Sequence, residues 1–198
     1  MKFHFAVILF SIACTQNALA QSISQLSAIV TTDSAEGWLP TVDQEQEVRK
    51  AAENYLRNKE QGRTRDAYEF LADAQKRSVS LSDFLNNVSS FNSKSGESLA
   101  HKVLQITWTK DPRGGPFPGV FAAVDIASKY AKIDRACGYL IMYQPPTGGP
   151  FLVLREEMNF LDNATAASIV KQHSQGEVDR IWKELSASCP NYLAEASP

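Results

Sequence analysis

The order of elements predicts an α+β fold, with three N-terminal helices packed on a four-stranded antiparallel sheet and a C-terminal helical extension. Two observations carry this. Apolar residues recur at helical spacing before Leu99 and at a spacing of two after it. Helices and strands are also segregated along the chain, and Gly/Pro strings punctuate the strand region. A chain of 198 residues with 43% hydrophobic content supports one ordinary globular domain rather than a disordered polymer.

The N-terminus reads as a removable leader. Lys2 supplies a positive n-region, Phe3 to Ile12 a short apolar run, and Ala18-Leu19-Ala20 a signal-peptidase site. Residues 1–20 are therefore expected to be a signal peptide, too short in its apolar run to span a bilayer. Ser11-Ile12-Ala13-Cys14 is a rival lipobox-like string that begins with Ser11 rather than a large aliphatic residue. A lipid on Cys14 would anchor the chain to a membrane, and otherwise the location is periplasmic or secreted. Residues 21–40, rich in Ser, Thr and Ala, read as a flexible leader with Trp38 docking on the core.

The single domain is expected over residues 41–190, followed by a tail at 191–198. Thr41 and Gln44 form a capping-box pattern, and Val48, Ala51, Ala52, Tyr55 and Leu56 make one apolar stripe that stops at Gly62. Ala67, Phe70, Leu71 and Ala74 repeat the spacing in a shorter helix. Ser80 with Asp83 then caps a third, whose stripe of Leu81, Phe84, Leu85 and Val88 ends near Gly96.

Residues from Lys102 to Thr109 alternate as a strand, broken at Asp111-Pro112-Arg113-Gly114-Gly115-Pro116. Val120 to Tyr130 is a second strand and Ile133-Asp134-Arg135 a turn. Gly138 to Gln144 is a third strand, and Phe151 to Phe160, after a second Gly/Pro-rich loop, a fourth. Asp162 or Asn163 can cap a helix to about His173. After Gly176 the spacing of Val178, Ile181, Trp182 and Leu185 gives another.

This arrangement looks like the nuclear transport factor 2-like, or cystatin-like, cone fold, and from about Val48 to Asn163 it resembles a secreted bacterial family, domain of unknown function four thousand and nineteen. The carrying segments are Val48–Leu56, Phe84–Phe91, Gly119–Tyr130 with Gly138–Gln144, and Leu152–Phe160 with Arg155-Glu156-Glu157 inside. The Gly/Pro-rich loops and the C-terminal helices depart from that family. The resemblance implies a curved sheet with helices in its concave face and a secreted location, and it implies no activity.

Chemistry-bearing residues are few. Twenty Lys and Arg against 22 Asp and Glu give a net charge of −2, which excludes a nucleic-acid footprint. Cys137 and Cys189 survive removal of the leader and are expected to form one disulfide in an oxidising compartment. His101 and His173 suit exposed positions, and neither has metal-ligand spacing, so no metal or cofactor is expected.

Two surfaces compete as sites. Tyr139 and Tyr143 share a face of the third strand. Phe151, Val153, Arg155, Glu157 and Asn159 share one on the fourth if pleating is regular. If the faces coincide, Tyr139, Tyr143, Arg155 and Glu157 line the cone mouth as a pocket for an acidic or carbonyl ligand, with Glu157 a candidate general base. An outward-facing Arg155 and Glu157 would remove that site. The second surface is a loop rim. Gly114-Gly115-Pro116-Phe117 and Gly148-Gly149-Pro150-Phe151 are the same string at the same end of a meander, presenting Phe117 and Phe151 as a contact surface or serving merely as turns. The leading expectation is a non-enzymatic binding or interaction module with an envelope protein as partner. The alternative is a small-molecule pocket protein, or an enzyme of the isomerase or dehydratase type known in the cone superfold.

Overall fold

The four longer helices begin where a short polar side chain satisfies an orphan amide. The computed structural model describes residues 28–115 and 117–189. In it Thr41 and Gln44 make the reciprocal capping box of α1 (Val42–Glu60). Next come α2 (Thr64–Glu69) and α3 (Asp73–Ser78), then α4 (Leu81–Ser95), capped by Ser80. Asp162 and Ser174 cap α5 (Asn163–Gln172) and α6 (Gln175–Leu185).

The stripe Ala67, Phe70, Leu71 and Ala74 was expected to be one helix and is two. The backbone between α2 and α3 turns aside to pair with a strand. Val153 N–H donates to Phe70 O at 2.7 Å, and Ala72 N–H donates to Val153 O at 2.8 Å. This exchange makes a parallel bridge at Leu71, and its two hydrogen bonds compensate the break in the helix.

The sheet runs in order β1 (Ile29–Val30), β2 (Ser98–Lys110), β3 (Val120–Tyr130), β4 (Ile133–Gln144) and β5 (Leu152–Asp162). Strands β2 to β5 are the expected antiparallel meander, but β1 adds a parallel edge, so the sheet is five-stranded and mixed. The added strand comes from the segment read as a leader. Thr31 and Thr109 share a hydroxyl hydrogen bond at 2.7 Å, the Lys110 amide donates to Ser34 Oγ at 2.9 Å, and the Trp38 ring lies 6.4 Å from that of Trp108. A two-residue strand is too short to show alternation. Ile133–Arg135 belongs to β4, and the turn is made by Ala131 and Lys132.

Alternation assigns each face of the sheet a different cover. Helices α1 and α4 pack Val48, Tyr55, Leu56, Phe84 and Val88 against Trp108, Val124, Leu140, Met142, Phe151 and Val153, which form the main core. Helices α5 and α6 lie across the opposite face, at one end only, where Val178 and Trp182 cover Cys137 and Leu161. Cys137 and Cys189 are bonded there, with Cα atoms 6.1 Å apart, and Arg135 pairs with Asp179 of α6 at 2.6 Å. The C-terminal extension is thus a second layer rather than an appendage. The expected signal peptide, Cys14, the first leader residues, Pro116 and the tail lie outside the described residues. No helix among the described residues is long and apolar enough to cross a membrane.

Candidate functional site

A β-bulge decides where the candidate residues point. Along β5 the register passes from Arg155 opposite Ile141 to Val153 opposite Met142, which leaves Leu154 as an extra residue. Phe151 and Val153 therefore face the core, while Arg155, Glu157 and Asn159 face the other side. The expectation that all five share a face fails at this one residue. A bulge leaves no mark in the hydrophobic pattern.

Tyr139, Arg155 and Glu157 do come together, but on the face turned away from α1 and α4. Tyr139 Oη donates to Glu157 Oε2 at 2.7 Å, and Arg155 Nη2 donates to the same oxygen at 2.5 Å. The Arg155 guanidinium lies over the Tyr139 ring, 5.8 Å from its centroid. Hydrogen bonds from Tyr139 and Arg155 hold Glu157 below the usual glutamate range, so it stays a carboxylate and makes a poor base at neutral pH. Burial, then the neighbouring Glu157, raises Tyr139. Tyr143 stands apart and donates to Pro118 O at 3.0 Å. Arg155 is 63% exposed. Tyr139, Arg155 and Glu157 thus form a self-satisfied surface cluster on this face, and Tyr143 is not part of it.

The two Gly-Gly-Pro loops do sit at one end of the sheet, since Val120 pairs with Gln144 and Gln144 Nε2 donates to Gly149 O at 2.6 Å. Their glycines serve the turns: Gly114 and Gly148 have φ of 77° and 79°. The nearby bonds are Gly115 N–H to Pro112 O and Gly148 N–H to Pro145 O, both 2.9 Å. The phenylalanines part company. Phe151 is 1% exposed and packs edge-on against Trp108, so it is core and unavailable to a partner. Phe117 is half-buried against Phe121 and Tyr143, at ring distances of 5.7 and 4.9 Å.

The polar constellation that faces the helices lies one residue away from those the sequence suggested. Glu156 lies between Arg155 and Glu157, so pleating turns it inward. Its Oε2 accepts from Tyr55 Oη at 2.7 Å, and its Oε1 accepts from Lys59 Nζ. Lys59 also lies over the Tyr55 ring at 5.1 Å. Burial first, and Glu156 second, push Tyr55 well above its ordinary range, so it remains a donor. These three residues floor a cleft of about 330 Å³ between α1, α4 and β5, walled by Phe84, Val88, Phe91, Val153, Met158 and Phe160. Gln75 and Asn87 add amides at its edge. Both oxygens of Glu156 are engaged, while Lys59 keeps two further protons for an incoming oxygen. The arrangement can enclose an apolar body and orient one polar atom on it. The core-facing run Glu156, Met158, Phe160 was the available signal, an acid on an otherwise apolar face, and it needs the bulge to be recognised.

A second buried pair lies at the end of α1. His101 was expected to be exposed, yet its Nδ1 lies 3.3 Å from Glu60 Oε2, and both side chains are largely buried. The hydrogen bond that the imidazole donates to Glu60 raises it above its ordinary value against the opposing effect of burial. No group of three or more His, Cys, Asp or Glu side chains that could hold a metal ion occurs among the described residues.

No family model matches this chain, and neither a curated protein nor a solved structure is detectably similar to it.

Proposed function

We propose that this chain is a secreted or periplasmic, non-enzymatic binding module that takes a small, mainly apolar molecule into the cleft between α1, α4 and β5. The carrying observation is the Tyr55–Glu156–Lys59 cluster at the floor of a hollow walled mainly by apolar side chains. A charged pair held with a tyrosine hydroxyl in apolar surroundings is a common way to orient a ligand. The helices on one sheet face are consistent with the cone fold and with the secreted family that the sequence resembles. The Cys137–Cys189 bond and the leader-like N-terminus support an oxidising compartment.

Native mass spectrometry of the protein recovered gently from its own envelope tests the reading. A bound small molecule is expected on the wild type and absent from a folded Asn87→Trp variant, which plugs the cleft from its exposed rim. Equal occupancy in that variant contradicts it, as does a wild-type protein that arrives empty and takes up no added decanol.

A second reading is supported by the half-exposed rings of Phe117, Phe121 and Tyr143 on the uncovered end of the other face. There the chain would meet an envelope protein. Phe117→Ala alone is the variant to use, because Phe151 is core. Unchanged capture of an envelope partner by that variant removes the surface.

A further inference from the structure

We infer that the ligand of this cleft is a single-chain amphiphile with an anionic head, its tail in the cleft and its head between Lys94 and Lys132. The inference rests on the cleft reading above and adds the ligand's class and direction.

The cleft does not end at its last apolar wall. Phe160 also lines a second hollow of about 390 Å³, formed with Lys94, Lys132, Ile133, Asp162 and Asn163. Phe160 therefore separates two adjoining hollows. It is 38% exposed, stacked edge-on against Phe91 at 5.6 Å, and so offers apolar surface where the two hollows meet. Helix α4 runs the same way, with Val88 and Phe91 on the cleft and Lys94 one turn further on at the second hollow.

The far hollow is where charge changes. Neither ammonium group, of Lys94 or Lys132, has an ion pair or hydrogen-bond partner among the described residues. Backbone bonds fix the position of Lys132: its N–H donates to Ser95 O at 2.8 Å, and its carbonyl accepts from Asn163 N–H at 3.0 Å. The acid in this hollow, Asp162, is already committed. Its two oxygens accept from Thr165 N and Thr165 Oγ1, each at 2.8 Å. The two cations thus face one engaged carboxylate, in a chain whose net charge is −2. The cleft floor, in contrast, is an internally paired Lys59 and Glu156.

Length fits the same picture. The β5 stretch from Val153 to Asp162, which lines both hollows, covers at most roughly 30 Å at the rise of an extended strand, so a ligand that reaches from one hollow into the other is elongated rather than a compact ring system. An anion at Lys94 and Lys132 gains two charge-assisted contacts near solvent, and its chain removes the Phe160 and Phe91 surfaces from water.

The test compares decanoate, decyl phosphate and neutral decanol by calorimetric titration of the folded wild type and of Lys94→Gln/Lys132→Gln. Both replaced side chains are exposed, so folding is preserved. The expected result is at least tenfold tighter binding of an anion than of decanol. The double variant should abolish this preference and leave decanol unchanged. The tighter of the two anions identifies the head as carboxylate or phosphate. Equal binding of anions and decanol, or a preference that survives the double variant, overturns this inference and leaves the cleft reading standing. Failure of all three to bind the wild type overturns both.

Discussion

Glu156 and Glu157 are neighbours in sequence with opposite circumstances. Glu156 holds Tyr55 and Lys59 beneath the helices, whereas Glu157 bonds Tyr139 and Arg155 at the surface. Glu156→Gln leaves a largely buried ammonium without its counter-charge and should lower stability by about 1–3 kcal/mol in urea titrations. Glu157→Gln should leave the unfolding midpoint within error. The reverse order would show that the bulge at Leu154 is misplaced. His101 supplies a pH signature. Its folded pKa is raised above the ordinary 6.5 by Glu60, so the pair's contribution is fully present below about that pH. It is lost as pH rises through the folded value. Stability measured from acid to mildly alkaline pH should fall across this window in the wild type and fall less in His101→Gln.

At the scale of elements, the helices were legible because their stripes and caps are local. Thr41, Ser80 and the Val178–Trp182 spacing need no tertiary information. The meander was legible because its strands are long and its turns carry Gly and Pro. What was not legible depends on pairing between distant segments. The Phe70–Ala72 break exists because Val153 is there to bond it. The edge strand exists because Thr107 and Trp108 accept it. The face of Arg155 depends on Leu154 being the extra residue. The candidate site inherited this last error at Arg155 and Glu157, which were expected to share a face with Phe151 and Val153 and instead join Tyr139 on the opposite one. Packing separates the repeated phenylalanines as well. Phe151→Ala should cost about 3–5 kcal/mol by emptying a site against Trp108, and Phe117→Ala much less, in matched thermal or urea unfolding.

The whole molecule is a sheet covered by helices on both faces, with a disulfide tying the later layer to β4. The sequence separation of 52 between Cys137 and Cys189 corresponds to about 4 kcal/mol of chain-entropy stabilisation. A Cys137→Ala/Cys189→Ala variant should lose stability on that order, and amide exchange should accelerate first in α5 and α6 while the α1–α4 layer stays protected. Uniform acceleration would mean that the two layers fold as one unit. The uncovered parts of the two faces leave two possible working surfaces, the cleft floored by Glu156 and the aromatic patch around Phe117. One measurement separates them most directly, backbone amide shift mapping of the folded protein during titration with decanol. The account predicts saturable shifts at Tyr55, Asn87, Val88, Val153 and Met158. Shifts confined to Phe117, Phe121, Ile141 and Tyr143 would contradict it and move the function to the opposite face.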